Sequence, residues 1–270
     1  MSTDQEKIKD LVKERYGARA ERVISLTPAE LVHSDSDGCG CSTDGACCGV
    51  EDLDHAMLLY NEGQLAGLPM ESIAASAGCG NPTALAGLQP GERVLDLGSG
   101  GGIDCFLAAQ QVGDTGKVTG LDMTPAMLEL ARANKAKLGI ENVDFVQGEM
   151  EKMPSPDSSI DVIISNCVVC LSPDKDAVFT ESFRVLSPGG RIHLSDVMAL
   201  TTEGPSVSSP EDWVSCTAGA EHVDVYRDRL VRAGFTDIEF TSEQADYLES
   251  HPERPPTNTA GYKVVAHKPS

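Results

Sequence analysis

From residue 91 onward the chain alternates short apolar runs with helix-patterned stretches, and that rhythm limits the available folds more than any other feature. The strand candidates are Arg93–Leu97, Lys117–Leu121, Val143–Val146, Asp161–Ser165 and Arg191–Ser195. One intervening helix opens at Thr124-Pro125, a cap residue followed by proline at the first helical position, and closes near Gly139. Another opens at Ser172-Pro173 and stops before Pro188-Gly189-Gly190. Strand–helix–strand alternation predicts a doubly wound, mostly parallel sheet with helices on both faces. After residue 200 come Trp213–Glu221, a helix near 223–233, and strands Thr236–Phe240 and Tyr262–Ala266, joined across Pro252, Pro255 and Pro256. These late strands finish the sheet at one edge and bring the expected total to seven. Upstream, Ile8, Leu11, Val12 and Tyr16 follow helical spacing over residues 3–16, and Gly17 can end that helix. The expected division is an N-terminal helix with a Cys-rich segment (1–70), a core (71–200) and a C-terminal region (201–270).

A chain of 270 residues with 40% apolar content can bury a sizeable core. It contains no apolar run of the roughly 18 residues that a membrane helix needs. Its first residues lack a basic stretch followed by an apolar one, so no secretory signal is expected and a cytoplasmic location follows. The net charge of -21, from 21 basic against 42 acidic residues, argues against nucleic acid and anionic membranes as partners. Adaptation to high salt is a further reading of that balance. Nothing announces an interface, so a monomer is expected.

The first strand runs into Val94-Leu95-Asp96-Leu97-Gly98-Ser99-Gly100-Gly101-Gly102. A strand, a glycine-rich turn and a helix place backbone N–H groups and room for close approach at the sheet's carboxyl edge. The spacing is G-x-G-x-G, through Gly98, Gly100 and Gly102; a dinucleotide fingerprint would need glycine where Ile103 stands. Asp122, closing the second strand, can accept from both hydroxyls of a ribose. Over roughly residues 70–200 the chain resembles the class I S-adenosylmethionine (SAM)-dependent methyltransferases, Rossmann-like in fold. The resemblance rests on the first motif around Asp96, on Leu121-Asp122-Met123-Thr124, on Phe145-Val146-Gln147-Gly148-Glu149-Met150-Glu151, on Asn166, and on Val185-Leu186-Ser187-Pro188-Gly189-Gly190. It implies SAM as cofactor. Asp96, Gly98, Ser99, Gly100, Gly102, Asp122 and Met123 would bind it, with Glu149 and Met150 beside the adenine and Asn166 at the methionine end.

Nine cysteines are the second strong signal: Cys39, Cys41, Cys47, Cys48, Cys79, Cys105, Cys167, Cys170 and Cys216. A structural disulfide framework is not expected in a cytosolic chain of this size, which leaves metal, metalloid or redox work. Cys105 and Cys170 read as small buried apolar residues. Cys79, Cys167 and Cys216 lie on separate segments that the topology can gather above the cofactor, because ligands sit beyond the carboxyl ends of the strands. The motifs here resemble a narrower family, the arsenite methyltransferases. They are Cys-Cys-Gly at 47–49, Gly78-Cys79-Gly80-Asn81-Pro82, Gly98 through Cys105, Ile164-Ser165-Asn166-Cys167-Val168, Leu171-Ser172-Pro173-Asp174-Lys175, and Trp213 with Cys216. By this resemblance Cys79, Cys167 and Cys216 would bind arsenic(III), and Cys47 or Cys48 would be a further functional thiol. The substrate would be arsenite or its thiol conjugates, with an external glutathione- or thioredoxin-like reductant.

The chemistry agrees, because trivalent arsenic is soft and prefers thiolates. Its lone pair carries no proton, so methylation needs no general base, and positioning can supply up to roughly 7–11 kcal/mol. Two rival readings remain open: a small-molecule C- or O-methyltransferase, and a thiol-rich metal or metalloid binder without turnover. Two readings of Trp213 stay open: an aromatic that packs against or covers the site, and an ordinary buried aromatic. His193 and His222 are expected to be structural.

Overall fold

The computed structural model describes residues 3–26, 59–78, 80–204, 209–210, 213, 216–242 and 258–270. Their strands are β1 (Arg93–Leu97), β2 (Lys117–Asp122), β3 (Val143–Gln147), β4 (Ile160–Asn166), β5 (Leu186–Ala199), β6 (Glu221–His222), β7 (Thr236–Ser242) and β8 (Thr259–His267). One sheet carries them in the order β3-β2-β1-β4-β5-β8-β7, with the two-residue β6 paired to β5. Pairings from β3 through β5 are parallel, whereas β8 runs antiparallel to both β5 and β7. The doubly wound, mostly parallel arrangement of seven strands expected from the sequence is present, β6 being a short addition.

Side chains alternate across a strand, so each central strand feeds two cores. Val94, Val162 and Ile164 face Phe106 and Leu128. These two come from helices Ile103–Val112 and Pro125–Leu138. Leu95, Leu97 and Ile163 face the other way, onto Phe179, Val185, Tyr226 and Leu230. Those belong to Lys175–Val185 and Val223–Ala233. The turn after β1 needs glycine at one point in particular. Gly102 has φ 93°, and a Cβ there would lie within 2.9 Å of the Phe106 and Phe145 rings.

Three expectations need correction. The first helix, α1 (Thr3–Ser25), does not stop at Gly17. Beyond that glycine Ala20 and Val23 continue the apolar stripe and pack with Tyr16 against Met127 and Leu130. That burial outweighs the roughly 1 kcal/mol by which glycine disfavours a helix interior. Strand β5 spans Leu186–Ala199 rather than Arg191–Ser195, because its outer half is held by nine consecutive pairs with β8. The Pro188-Gly189-Gly190 turn is an irregularity inside it, where the register against β4 jumps from Ile160↔Leu186 to Val162↔Arg191. The helix expected to open at Ser172-Pro173 starts at Lys175, capped by the Asp174 carboxylate on the Ala177 N–H.

Candidate functional site

A cleft lies over the carboxyl ends of β1, β2 and β4, where the chain leaves β1 for opposite sides of the sheet. Of the residues singled out from the sequence, Gly98, Ser99, Gly100, Asp122, Met123, Met150, Asn166 and Cys167 line it. One Asp122 oxygen accepts the Gly100 N–H at 2.9 Å and the other the Thr124 N–H at 2.8 Å. Each oxygen keeps acceptor capacity for a further donor. A Cβ at Gly100 would meet nothing within 4 Å, so the turn leaves open space there. The buried Ser99 hydroxyl has no hydrogen-bond partner.

Beneath the turn sits a group of carboxyls. Asp96 and Asp104 are nearly inaccessible to solvent. Burial, followed by the charge of Asp104, pushes Asp96 well above the usual carboxylate range. Burial raises Asp104 to about 6 against hydrogen bonds from Asn166 and Tyr60. Burial also raises Asp122. Acids kept away from water and close to one another favour a cation in the cleft. An unpartnered serine, a diol-accepting carboxylate and this acidic floor fit the ribose and the positively charged methionine end of SAM.

Asn166 ties the cleft together. Its amide nitrogen donates to the Gly80 carbonyl at 2.7 Å, the Tyr60 hydroxyl at 3.0 Å and Asp104 at 3.3 Å, and its oxygen accepts the Gly80 N–H at 3.1 Å. Tyr60 in turn donates to Asp104 at 3.0 Å. Glu149 points elsewhere: its carboxylate pairs with Lys9 at 2.8 Å and Lys13 at 3.5 Å on α1, while Gly148, Met150 and Glu151 line the cleft. Asp96 lies below the cleft wall and accepts from the Cys105 thiol.

Cys167 follows Asn166 at φ 59°, a left-handed conformation that costs a non-glycine residue about 1–3 kcal/mol. Its N–H donates to the Ser195 carbonyl at 2.7 Å. Its sulfur is in a disulfide whose partner lies outside the described residues, and it is 3% exposed at the cleft edge. The Cys216 thiol reaches the Cys167 carbonyl at 3.7 Å, so the structure brings these two predicted residues together. Cys170, on the turn Val169–Leu171, joins them. Its thiol lies 3.5 Å from the same carbonyl. A hydrogen bond from Cys170 holds Cys216 below the usual thiol range and pushes Cys170 up. Trp213 packs on this turn, its indole donating to the Leu171 carbonyl at 3.0 Å. Cys39, Cys41, Cys47, Cys48 and Cys79 lie outside the described residues.

Sequence reasoning missed the Tyr60–Asp104–Asn166 network, the contribution of Lys9, Val12 and Tyr16 from α1 to the cleft wall, and the position of Cys170. Only Cys170 carried a signal, standing three residues after Cys167.

Comparison with known proteins agrees with this geometry. A model of the methyltransferase domain matches residues 88–251, and the chain belongs to that family, with the class I SAM-dependent methyltransferase fold. An arsenite methyltransferase of Halobacterium salinarum is 43% identical over 244 residues, covering 87% of this chain and 59% of that protein. One of Aquipseudomonas alcaligenes is 38% identical over 209 residues, covering 74% and 58%. The chain thus spans less than two thirds of the length of these curated relatives. The crystal structure of an arsenic(III) S-adenosylmethionine methyltransferase from Chlamydomonas reinhardtii aligns with TM-score 0.63 at 40% identity, over 77% of this chain and 72% of that one.

Proposed function

We propose that this chain methylates trivalent arsenic, bound as a thiolate complex, with SAM as methyl donor. The observation that carries the reading is Cys167, a cysteine on the wall of the cofactor cleft with a second cysteine, Cys216, against its backbone. SAM supplies an electrophilic methyl group on a positively charged sulfur. The chain's residues bind and orient. Asp122 and Ser99 receive the ribose, and Asp104 offers negative charge to the cationic end. Glu149 acts indirectly, holding α1 over the adenine side through Lys9, while Met150 lines that side. Cys79, Cys167 and Cys216 hold arsenic so that its lone pair faces the methyl group. No proton leaves the nucleophile, in keeping with a cleft that needs acids for a cation and not a base for a hydroxyl.

Methyl transfer takes arsenic formally from the trivalent to the pentavalent state. Two electrons must return it, from a pair of cysteines that closes to a disulfide or from an external thiol. Cys47 or Cys48 would serve that relay, and a glutathione- or thioredoxin-like reductant would reopen it. Partners are therefore small molecules, and a cytoplasmic monomer fits the reading. No helix among the described residues is long and apolar enough to cross a membrane.

The test is arsenic speciation after incubation of the protein with SAM, arsenite and a thiol. Wild type should yield methylarsenicals, and Cys167→Ser none. Equal product from both would remove the thiol site from the reaction.

A further inference from the structure

The sequence motifs draw attention to Cys167 and Cys216, yet a third sulfur stands with them. We propose that Cys170 is a ligand of the same site, so that this chain can hold a trivalent arsenical through Cys167, Cys170 and Cys216 without calling on Cys79. The proposal rests on the arsenic reading above and deepens it.

The three Sγ atoms all lie within 4.8 Å of one another. Cys170 and Cys216 both direct their thiols at one carbonyl, that of Cys167. That carbonyl is displayed by the left-handed backbone at Cys167, so the strained residue gathers the other two thiols. The opposite wall is close-packed: a Cβ at Gly219 would lie 1.8 Å from the Cys170 carbonyl oxygen, so only glycine lets the segment carrying Cys216 approach the turn carrying Cys170. Cys167 opens the cluster to the cleft, while Cys170 is 1% exposed. Soft ligands in such a group suit a soft, thiophilic ion better than a hard one.

Binding balances without electron transfer at arsenic. Three As–O bonds of arsenous acid break and three As–S bonds form; the thiol protons leave with the hydroxyls as three waters, and arsenic stays trivalent. The Cys167 disulfide must first be opened. Two external thiols supply two electrons and two protons to it and leave as an external disulfide. This is the same class of reductant that the proposed function requires.

The test uses the full chain with Cys39, Cys41, Cys47 and Cys48 changed to serine, reduced with a phosphine and given arsenite without SAM. X-ray absorption counts the sulfurs around arsenic, and equilibrium dialysis gives the affinity. Cys79→Ser should keep three sulfurs. Adding Cys170→Ser should leave two and weaken arsenite binding at least tenfold, and Cys170→Ala should do the same, which separates sulfur loss from a buried hydroxyl. Two sulfurs in Cys79→Ser alone, with no change on altering Cys170, would overturn the assignment while leaving arsenic binding intact. If the parent protein binds no arsenite, the assignment and the methylation reading fall together.

Discussion

Asp104 shows how much one buried side chain can set in this cleft. It accepts from Tyr60 and Asn166 and is raised by burial to about 6. A cationic cofactor prefers the ionised form, so SAM affinity should be full above about pH 6. It should be lost as pH falls through that value, approaching tenfold per unit for a single proton. Asp104→Asn should bind more weakly at neutral pH and flatten the profile; calorimetric titration with SAM between about pH 5 and about pH 8 checks both. A wild-type profile flat through pH 6 would contradict the role. At this scale the sequence was informative where a motif dictates chemistry. Asp122, Ser99, Gly100 and Asn166 line the cleft as their positions implied. Tyr60 was illegible because nothing local marks a tyrosine as the partner of an acid 44 residues away. The left-handed backbone of Cys167 was also hidden, since cysteine rarely adopts it.

Among elements, α1 changes the picture most. It seals one side of the cleft, with Lys9 5% exposed and reaching Glu149 at 2.8 Å and Glu151 at 3.2 Å. Burial alone would lower that lysine, but the two carboxylates outweigh it and raise it. Lys9→Met keeps the stem and removes the charge. It should cost about 2 kcal/mol, a hydrogen bond to a charged group, and loosen SAM binding. Urea denaturation reads the first and the SAM KM the second; unchanged values in both would mean that the helix docks through Val12, Tyr16 and Ala20 alone. Strands β1 to β4 were readable within a residue, because burial in the sheet interior leaves apolar runs bounded by turns. The short helices Glu62–Leu65, Met70–Ala74 and Pro82–Leu85 were not, since one turn shows no period. The far half of α1 was illegible because Gly17 is a local stop signal, whereas the burial of Ala20 and Val23 that overrides it is tertiary.

For the whole molecule, charge is the dominant quantity. The surplus of 21 negative charges repels itself in the folded state. Against it stand ion pairs such as Arg229 with Asp176 and Glu221, and Arg184 with Asp157 and Glu181. Exposed pairs are worth about 0–1 kcal/mol each, so screening should relieve more repulsion than it removes attraction. The Tm should therefore rise by several degrees between about 0.1 M and about 1 M potassium chloride, and a falling Tm would show that the pairs win. Fold class was legible from the strand–helix rhythm alone. The convergence of thiols on one carbonyl at the sheet edge was legible only as a possibility, because sequence separation says nothing of the last few ångströms.

The most direct measurement follows the methyl group itself. SAM carrying a deuterated methyl is incubated with the protein, arsenite and a thiol, and the products are resolved by mass. The account predicts a deuteromethyl group on arsenic, one for each S-adenosylhomocysteine released. Deuterium on a protein cysteine or an organic acceptor, or bound SAM with arsenic left unmethylated, would contradict it.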